Sequence, residues 1–120
     1  MKKEINMVEK FHRKFNVPVL KKSALIPEDR FLLRYKLMKD EVEEYLQGVE
    51  RNDIINVTKE LSDILFAVYG TILEHGLQDV IEKVFKEVYN SNMSKDYSQY
   101  KMIKGSNYFE ADIKKFFSEE

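Results

Sequence analysis

Residues 53–76 read DIINVTKELSDILFAVYGTILEHG, and this stretch decides the fold. Apolar side chains cover almost the whole circumference of the helix that it predicts, which is typical of a helix buried by its neighbours. Asn52 or Asp53 can cap the first turn of this helix. We expect the helix to extend to about His75, where Gly76 stops it. The sequence therefore predicts a long central helix against which other elements pack.

Two carboxylates lie on this apolar helix. Glu60 and Asp63 are three residues apart and therefore share one face. The same stripe continues through small residues, which leave space in front of the acids: Ala67, Gly70 and Thr71. An unpaired carboxylate is costly to bury, so it needs a cation, a proton or a coordinated metal ion.

The preceding helix carries the second acidic motif. It begins near Pro27, a residue suited to a first helical turn, and runs to about Gly48, which fits a helix end. At about 100° per residue, three of its acids fall within one arc of roughly 100°. These acids are Asp40, Glu41 and Glu44. They border the apolar face of the helix, whereas Glu43 points to the opposite side.

The two motifs combine into one pattern: E-x-x-E at residues 41–44, a gap of fifteen residues, and E-x-x-D at residues 60–63. The gap contains the turn at residues 51–53, so the two helices should be antiparallel neighbours. This packing brings four or five carboxylates around one cavity. Oxygen ligands of this kind suit Mg²⁺, with Mn²⁺ as an alternative.

A structural interpretation of the same acids stays open at this point. Carboxylates three residues apart are common on long helices, where they lie in solvent or form salt bridges. Basic residues near them in sequence could serve as partners: Arg34, Lys36, Lys39 and Lys59. Glu60 and Asp63 favour the metal interpretation, because they lie on the most apolar helix and no basic residue follows Lys59 until Lys83.

The rest of the chain is also helical in pattern. Helical spacing predicts a first helix over about residues 5–16, a fourth over about 77–91 and a final amphipathic piece near 112–117. Residues 17–27 form a connector, and no alternation is strong enough to predict a sheet. We therefore expect an all-α, antiparallel bundle of about four main helices that forms a single domain over residues 1–120.

Composition excludes several classes of protein. Twenty Lys and Arg against 21 Asp and Glu give a net charge of −1, which does not favour nucleic-acid binding. The absence of Cys excludes disulfides, thiolate zinc sites and cysteine nucleophiles. His12 is predicted to be a surface residue, and His75 to complement a helix C-terminus. No secretory signal or membrane-spanning segment is visible, so we expect a cytoplasmic protein without a membrane partner.

Two acidic stretches, KDEVEE at 39–44 and KELSDIL at 59–65, resemble the signature of the all-α nucleotide pyrophosphohydrolases. This superfamily includes MazG-like enzymes, dimeric dUTPases and phosphoribosyl-ATP pyrophosphohydrolase. SNMSK at 91–95 and KGSNYF at 104–109 are similar to the C-terminal pattern of small phosphoribosyl-ATP-pyrophosphohydrolase-like proteins of bacteria and phages, some with dUTPase-like activity. The resemblance covers residues 11–117.

The resemblance implies a magnesium-dependent enzyme that hydrolyses a nucleoside triphosphate between its α- and β-phosphates, releasing monophosphate and pyrophosphate. The substrate would be a dUTP-like or non-standard nucleotide removed from the pool, and the assembly a homodimer or a dimer of dimers. The implied metal ligands are Asp40, Glu41, Glu44, Glu60 and Asp63. The implied phosphate and substrate contacts are Asn92, Lys95, Lys104 and Tyr108.

Two roles follow from the chemistry of such a reaction. A carboxylate that is not fully engaged with metal can accept the proton of the attacking water, and Glu41 and Glu44 are the candidates. Lys95 can stabilise charge on the leaving group as a point cation. An alternative from another class is a non-catalytic helical dimerisation or nucleotide-sensing module with the same fold. Neither base nor sugar preference follows from the sequence.

Overall fold

The computed structural model describes residues 1–117, and residues 118–120 of the predicted domain lie outside the described residues. Four helices account for most of the chain: α1 (Lys2–Lys14), α2 (Glu28–Glu50), α3 (Ile54–Glu74) and α4 (Ile81–Met93). A small antiparallel hairpin, β1 (Asp96–Ser98) and β2 (Lys101–Ile103), and a 3-10 turn at Lys114–Phe116 follow. The predicted all-α class is confirmed. The chain divides into two compact units, Met1–Gln78 and the segment from Asp79 onward.

Within residues 1–117, every helix is too short or too polar to cross a membrane.

Helix α3 begins and ends where the sequence predicts. The Asp53 carboxylate accepts a hydrogen bond from the backbone N–H of Asn56 at 3.1 Å, which caps the first turn. Gly76 has a φ of +67°, and the Leu77 N–H donates back to the Ile72 carbonyl, as in a Schellman motif. Because Leu77 closes α3 in this way, the predicted start of α4 near residue 77 is wrong, and α4 begins at Ile81.

Helices α2 and α3 pack antiparallel, as predicted. Arg34, early in α2, bonds to Thr71, late in α3, whereas Gly48, late in α2, lies against Val57, early in α3. The prediction that Gly48 ends α2 is wrong, because α2 continues to Glu50. A Cβ at Gly48 would lie only 3.3 Å from Val57 Cγ2, so this glycine permits the close approach of the two helices.

A buried ionic network fixes the other end of this helix pair. The Glu74 side chain is 1% exposed, and its two oxygens accept hydrogen bonds from Arg30 Nε and Nη2 at 2.9 and 2.7 Å. Arg34, 6% exposed, donates to the same carboxylate from Nη1 at 3.1 Å. Arg34 also donates from Nη2 to the Ala67 carbonyl and from Nε to Thr71 Oγ1. Charged groups of α2 and α3 are thus buried as a hydrogen-bonded set.

His12 is part of the interior, so its prediction as a surface residue is wrong. The side chain is 2% exposed, and its Nδ1 donates to the Pro18 carbonyl at 3.1 Å. Pro18 belongs to the connector after α1, so the sequence pattern of α1 alone does not indicate this hydrogen bond. Burial lowers the pKa of His12.

The space beside Gly70 is occupied. A Cβ on Gly70 would lie 2.5 Å from Arg34 Nη2 and 2.8 Å from His12 Nε2. The expectation that the small-residue stripe leaves open space along its whole length is therefore wrong at this position. Gly70 instead lets a guanidinium group and an imidazole ring lie directly against the backbone of α3.

Helix α3 is not covered on all sides within one chain, contrary to the expectation of a fully buried helix. Four of its apolar side chains are between 47% and 81% exposed: Ile54, Ile55, Leu61 and Leu65. Among the described residues, the large apolar side chains that are buried are Ile5, Val8 and Leu73. The apolar surface of α3 is therefore larger than the area that α1 and α2 cover.

The second unit is organised around α4. Ser91 Oγ donates to the Phe109 carbonyl at 2.8 Å, and Glu87 accepts hydrogen bonds from the Asp112 N–H and from Lys115 Nζ. These bonds tie the C-terminal segment along α4. The hairpin in this unit contradicts the expectation of no sheet, and its three-residue strands are too short to produce a recognisable alternation.

We predict that Glu74→Gln lowers the free energy of unfolding by about 3–5 kcal/mol, because it leaves two partly or fully buried guanidinium groups without a counter-charge. Urea denaturation monitored by circular dichroism measures this change. Glu43→Gln, an exposed substitution of the same kind on α2, should stay within about 0.5 kcal/mol of the parent. Equal midpoints for the two variants would contradict the importance of this network.

Candidate functional site

Three of the predicted metal ligands converge between α2 and α3. Glu41, Glu60 and Asp63 each place a carboxylate oxygen within 4.8 Å of the other two. Glu41 comes from α2, and the other two lie one turn apart on α3, so the antiparallel packing of the helices creates the cluster. An ion between these oxygens could be shared by all three side chains.

Two oxygens of this cluster have no partner among residues 1–117. Glu41 Oε2 and Glu60 Oε2 are buried and make no hydrogen bond there. The Glu60 side chain is only 7% exposed, so water does not replace the missing partner efficiently. Buried carboxylate oxygens without donors fit a site that holds a cation, and a donor set made only of oxygens suits Mg²⁺ or Mn²⁺.

The acids raise one another's proton affinity. Burial and the neighbouring Glu44 and Asp63 carboxylates raise the pKa of Glu41 to about 7. Burial, together with Glu44, also raises the pKa of Glu60. Both shifts have the sign expected when negative charges are crowded with too few cations. A divalent cation would reverse this effect by stabilising the ionised forms.

Glu44 and Asp40, the other two predicted ligands, differ in position. Glu44 is exposed and is not among the acids whose oxygens lie within 4.8 Å of one another, yet it contributes to the raised pKa of Glu41 and of Glu60, so it borders the cluster. Asp40 is turned to solvent, and its Oδ2 forms an ion pair with Lys36 Nζ at 2.7 Å. The structure therefore brings three of the five acids together, with Glu44 at the border of the cluster and Asp40 turned away from it.

Lys59 is the basic residue that accompanies the cluster. Its ammonium group lies 2.7 Å from Asp63 Oδ2 and 3.8 Å from Glu60 Oε1. The lysine side chain is 68% exposed, and these pairs raise its pKa. One exposed cation does not neutralise four neighbouring carboxylates, so the salt-bridge interpretation accounts for only part of the site.

The predicted substrate contacts all belong to the second unit. Asn92 is exposed near the end of α4, and the backbone N–H of Lys95 donates to its carbonyl at 3.1 Å. Lys104 lies over the ring of Tyr108, with Nζ 5.2 Å from the ring centroid. Within this unit, these residues form two local pairs, and their roles toward a substrate remain predictions.

The buried network of Arg30, Arg34 and Glu74 was not predicted from the sequence. The sequence indicates Arg34 only as a possible salt-bridge partner of the acids, whereas in the structure it pairs with Glu74. The signal was present in the spacing: Arg30 and Arg34 are one turn apart on α2, and antiparallel packing places them opposite the C-terminal turns of α3. Glu74, the carboxylate in those turns, was the matching partner.

We predict that Glu41 makes the metal-free protein lose stability as pH rises from about 4.5 to above 7, against the opposite contribution of His12, whose pKa burial lowers. In this range the folded protein still holds the Glu41 proton, whereas the unfolded chain has released it, so each pH step favours unfolding. Discounted for partial exposure, the change is about 1–2 kcal/mol. Urea denaturation at several pH values in a chelator measures it.

Glu41→Gln should remove this loss of stability with rising pH, because the amide does not titrate, and leave the opposite contribution of His12. Glu43→Gln, which changes an exposed acid of the same helix, should keep the slope of the parent protein. A Glu41→Gln variant with an unchanged slope would show that Glu41 does not hold its proton in the folded state.

Comparison with known proteins agrees with this chemistry. No curated protein matches the sequence. The family model described as phosphoribosyl-ATP pyrophosphohydrolase matches residues 8–92, which include α2, α3 and all of the clustered acids. This match covers more than half of the chain and supports the predicted all-α nucleotide pyrophosphohydrolase superfamily. The chain therefore belongs to the phosphoribosyl-ATP pyrophosphohydrolase family, whose members are hydrolases that act on phosphoanhydride bonds.

Proposed function

We propose that the protein is a magnesium-dependent nucleoside triphosphate pyrophosphohydrolase that releases a nucleoside monophosphate and pyrophosphate. The observation that carries this proposal is the oxygen cluster of Glu41, Glu60 and Asp63, with two buried oxygens that lack a partner among residues 1–117. Family membership supplies the class of bond that is cleaved. The substrate we propose is a dUTP-like or non-standard deoxynucleotide, removed to keep the nucleotide pool clean.

The charge of the substrate explains why the acids need a metal. A triphosphate is strongly anionic, so carboxylates alone would repel it. Bound Mg²⁺, or Mn²⁺ in its place, would neutralise phosphate charge and acidify the attacking water. We propose that Glu41, Glu44, Glu60 and Asp63 hold the ion, with Asp40 able to join only if it leaves Lys36.

The protein's own residues would move the proton and bind the phosphates. Glu41 and Glu44 are the candidate bases, because whichever carboxylate is not fully engaged with the metal can accept the proton of the attacking water. Lys95 would stabilise the charge on the leaving group. Asn92, Lys104 and Tyr108 complete the proposed substrate contacts, as hydrogen-bonding, cationic and aromatic groups respectively.

The non-catalytic alternative has less support. A module that only dimerises or senses a nucleotide needs no set of crowded carboxylates with unpartnered buried oxygens, because such a set destabilises the fold without a cation. The family to which the chain belongs consists of pyrophosphohydrolases. Both considerations favour catalysis.

We also propose that the protein works as a homodimer or homotetramer. The large apolar side chains that are buried among residues 1–117 number only three, which is too small a core for a stable isolated domain of this length. Large apolar side chains remain exposed on α2 and α3, including Leu46 at 49% and Ile55 at 81%. A second copy that covers these faces would supply the missing buried area.

We predict that Asp63→Asn and Glu44→Gln each reduce magnesium-dependent release of pyrophosphate by about a hundredfold or more, because each removes a charge from the ion-binding set. A panel of deoxynucleoside triphosphates, with pyrophosphate and monophosphate as readouts, measures the loss. Glu43→Gln, on the opposite side of α2, is the matched control and should retain activity. Parental turnover by both site variants would end the proposal.

We predict that the purified protein sediments as a dimer or tetramer and that Leu46→Lys weakens this assembly. The substitution places a charge on an apolar face of α2. Leu25→Lys, the same change at a 94% exposed position of the connector, should sediment like the parent. Sedimentation velocity distinguishes the cases, and a monomeric parent protein would contradict the proposed assembly.

A further inference from the structure

The ammonium group of Lys59 touches the acidic cluster of Glu41, Glu60 and Asp63. Its Nζ lies 2.7 Å from Asp63 Oδ2 and 3.8 Å from Glu60 Oε1, so it contacts two of the three side chains that would hold a divalent ion. Other basic residues of α2 are engaged elsewhere: Lys36 with Asp40, and Arg30 and Arg34 with Glu74. Among residues 1–117, the positive charge in contact with the cluster is therefore that of Lys59.

Lys59 and a divalent ion would compete for the same carboxylates. Two cations that share one carboxylate repel each other, and a doubly charged ion bound by several oxygens is the stronger partner. The pair of Lys59 with Asp63 joins neighbouring turns of α3, and the lysine side chain is 68% exposed. An exposed pair of this kind is weak, so little opposes its replacement. Binding of the metal ion would therefore release the ammonium group at the edge of the site.

The released ammonium group would lie where the phosphates of a substrate arrive. Mg²⁺ holds its oxygen ligands at about 2 Å, so phosphate oxygens on an ion bound by Asp63 would lie within a few ångströms of that carboxylate. Lys59 Nζ is already in hydrogen-bond contact with the same carboxylate. A lysine offers three N–H donors on a flexible four-carbon stem, so it can follow a phosphate.

We propose that Lys59 is a substrate-binding residue that exchanges partners: it pairs with Asp63 in the metal-free protein and with a phosphate of the nucleotide once a divalent ion is bound. This inference rests on the proposed function, which supplies the triphosphate. The same charge opposes the binding of a metal ion alone and favours the binding of a metal ion together with a nucleotide. Lys59 thereby makes the binding of metal and nucleotide cooperative.

Lys59→Met tests the first of the two partners. Methionine keeps an unbranched side chain and a high helix propensity, so the substitution removes the charge and leaves α3 intact. Without nucleotide, we expect Mg²⁺ to bind the variant at least about threefold more tightly than the parent, because the competing cation is gone. Isothermal titration calorimetry at low ionic strength measures both dissociation constants. An unchanged or weaker affinity for Mg²⁺ would overturn the exchange.

The second partner is tested with the α,β-imido analogue of dUTP, which replaces the scissile oxygen and resists hydrolysis. With saturating Mg²⁺, we expect Lys59→Met to bind the analogue at least about tenfold more weakly, because a charge-assisted hydrogen bond to phosphate is lost. The two dissociation constants thus change in opposite directions, which a general loss of structure cannot produce. A parental Kd for the analogue would overturn the phosphate contact of Lys59.

Two further variants show whether the position of the charge matters. Arg13→Met removes the same charge and an ion pair of the same i,i+4 spacing, which Arg13 forms with Glu9 on α1 at 2.8 Å. Both dissociation constants should stay at the parental values in this control, and equal effects of Arg13→Met and Lys59→Met would overturn the inference. Lys59→Arg keeps the charge and should hold both constants within about threefold of the parent.

Failure of the proposed function would give a different result. A parent protein that binds Mg²⁺ but neither binds the analogue nor hydrolyses a deoxynucleoside triphosphate would overturn the proposed function, and the phosphate contact with it. Hydrolysis by the parent protein, combined with unchanged dissociation constants in Lys59→Met, would overturn only the role of Lys59.

Discussion

A buried carboxylate of α3, paired with one buried and one partly buried guanidinium group of α2, holds the two central helices against each other. Glu74 holds Arg30 and Arg34 at one end of the pair, and the close approach at Gly48 fixes the other end. Between these two points the register is no longer free. In this arrangement Glu41 faces Glu60 and Asp63, and their carboxylate oxygens lie within 4.8 Å of one another.

The acids could be predicted from the sequence because their signals are local. Carboxylates three residues apart must share a helical face, and a short connection between two long helices makes them antiparallel neighbours. The ends of α3 were equally predictable, because an aspartate cap and a left-handed glycine act within one turn. Asp40 has the same local signal as Glu41, yet the structure turns it to Lys36, since one position along a helix rotates a side chain by about 100°.

Other features depend on contacts between distant residues, which no local pattern contains. His12 is buried because Pro18 accepts its hydrogen bond and because Gly70, far away in sequence, leaves room for its ring. Gly48 is a residue type that often ends a helix, but here α2 continues past it and Gly48 packs against α3. Arg34 and Glu74 are forty positions apart in the sequence, so only the packed helices show that these two charges meet.

With the sparse apolar interior, the proposed assembly would also tie folding to protein concentration. Exposed side chains on α3, such as Ile55 and Leu65, can contribute to stability only when another surface removes them from water. Anything that binds the native state and not the unfolded chain shifts the equilibrium by mass action. For the proposed dimer or tetramer, dilution would itself act as a denaturant, and midpoints measured at different protein concentrations would describe different populations of species.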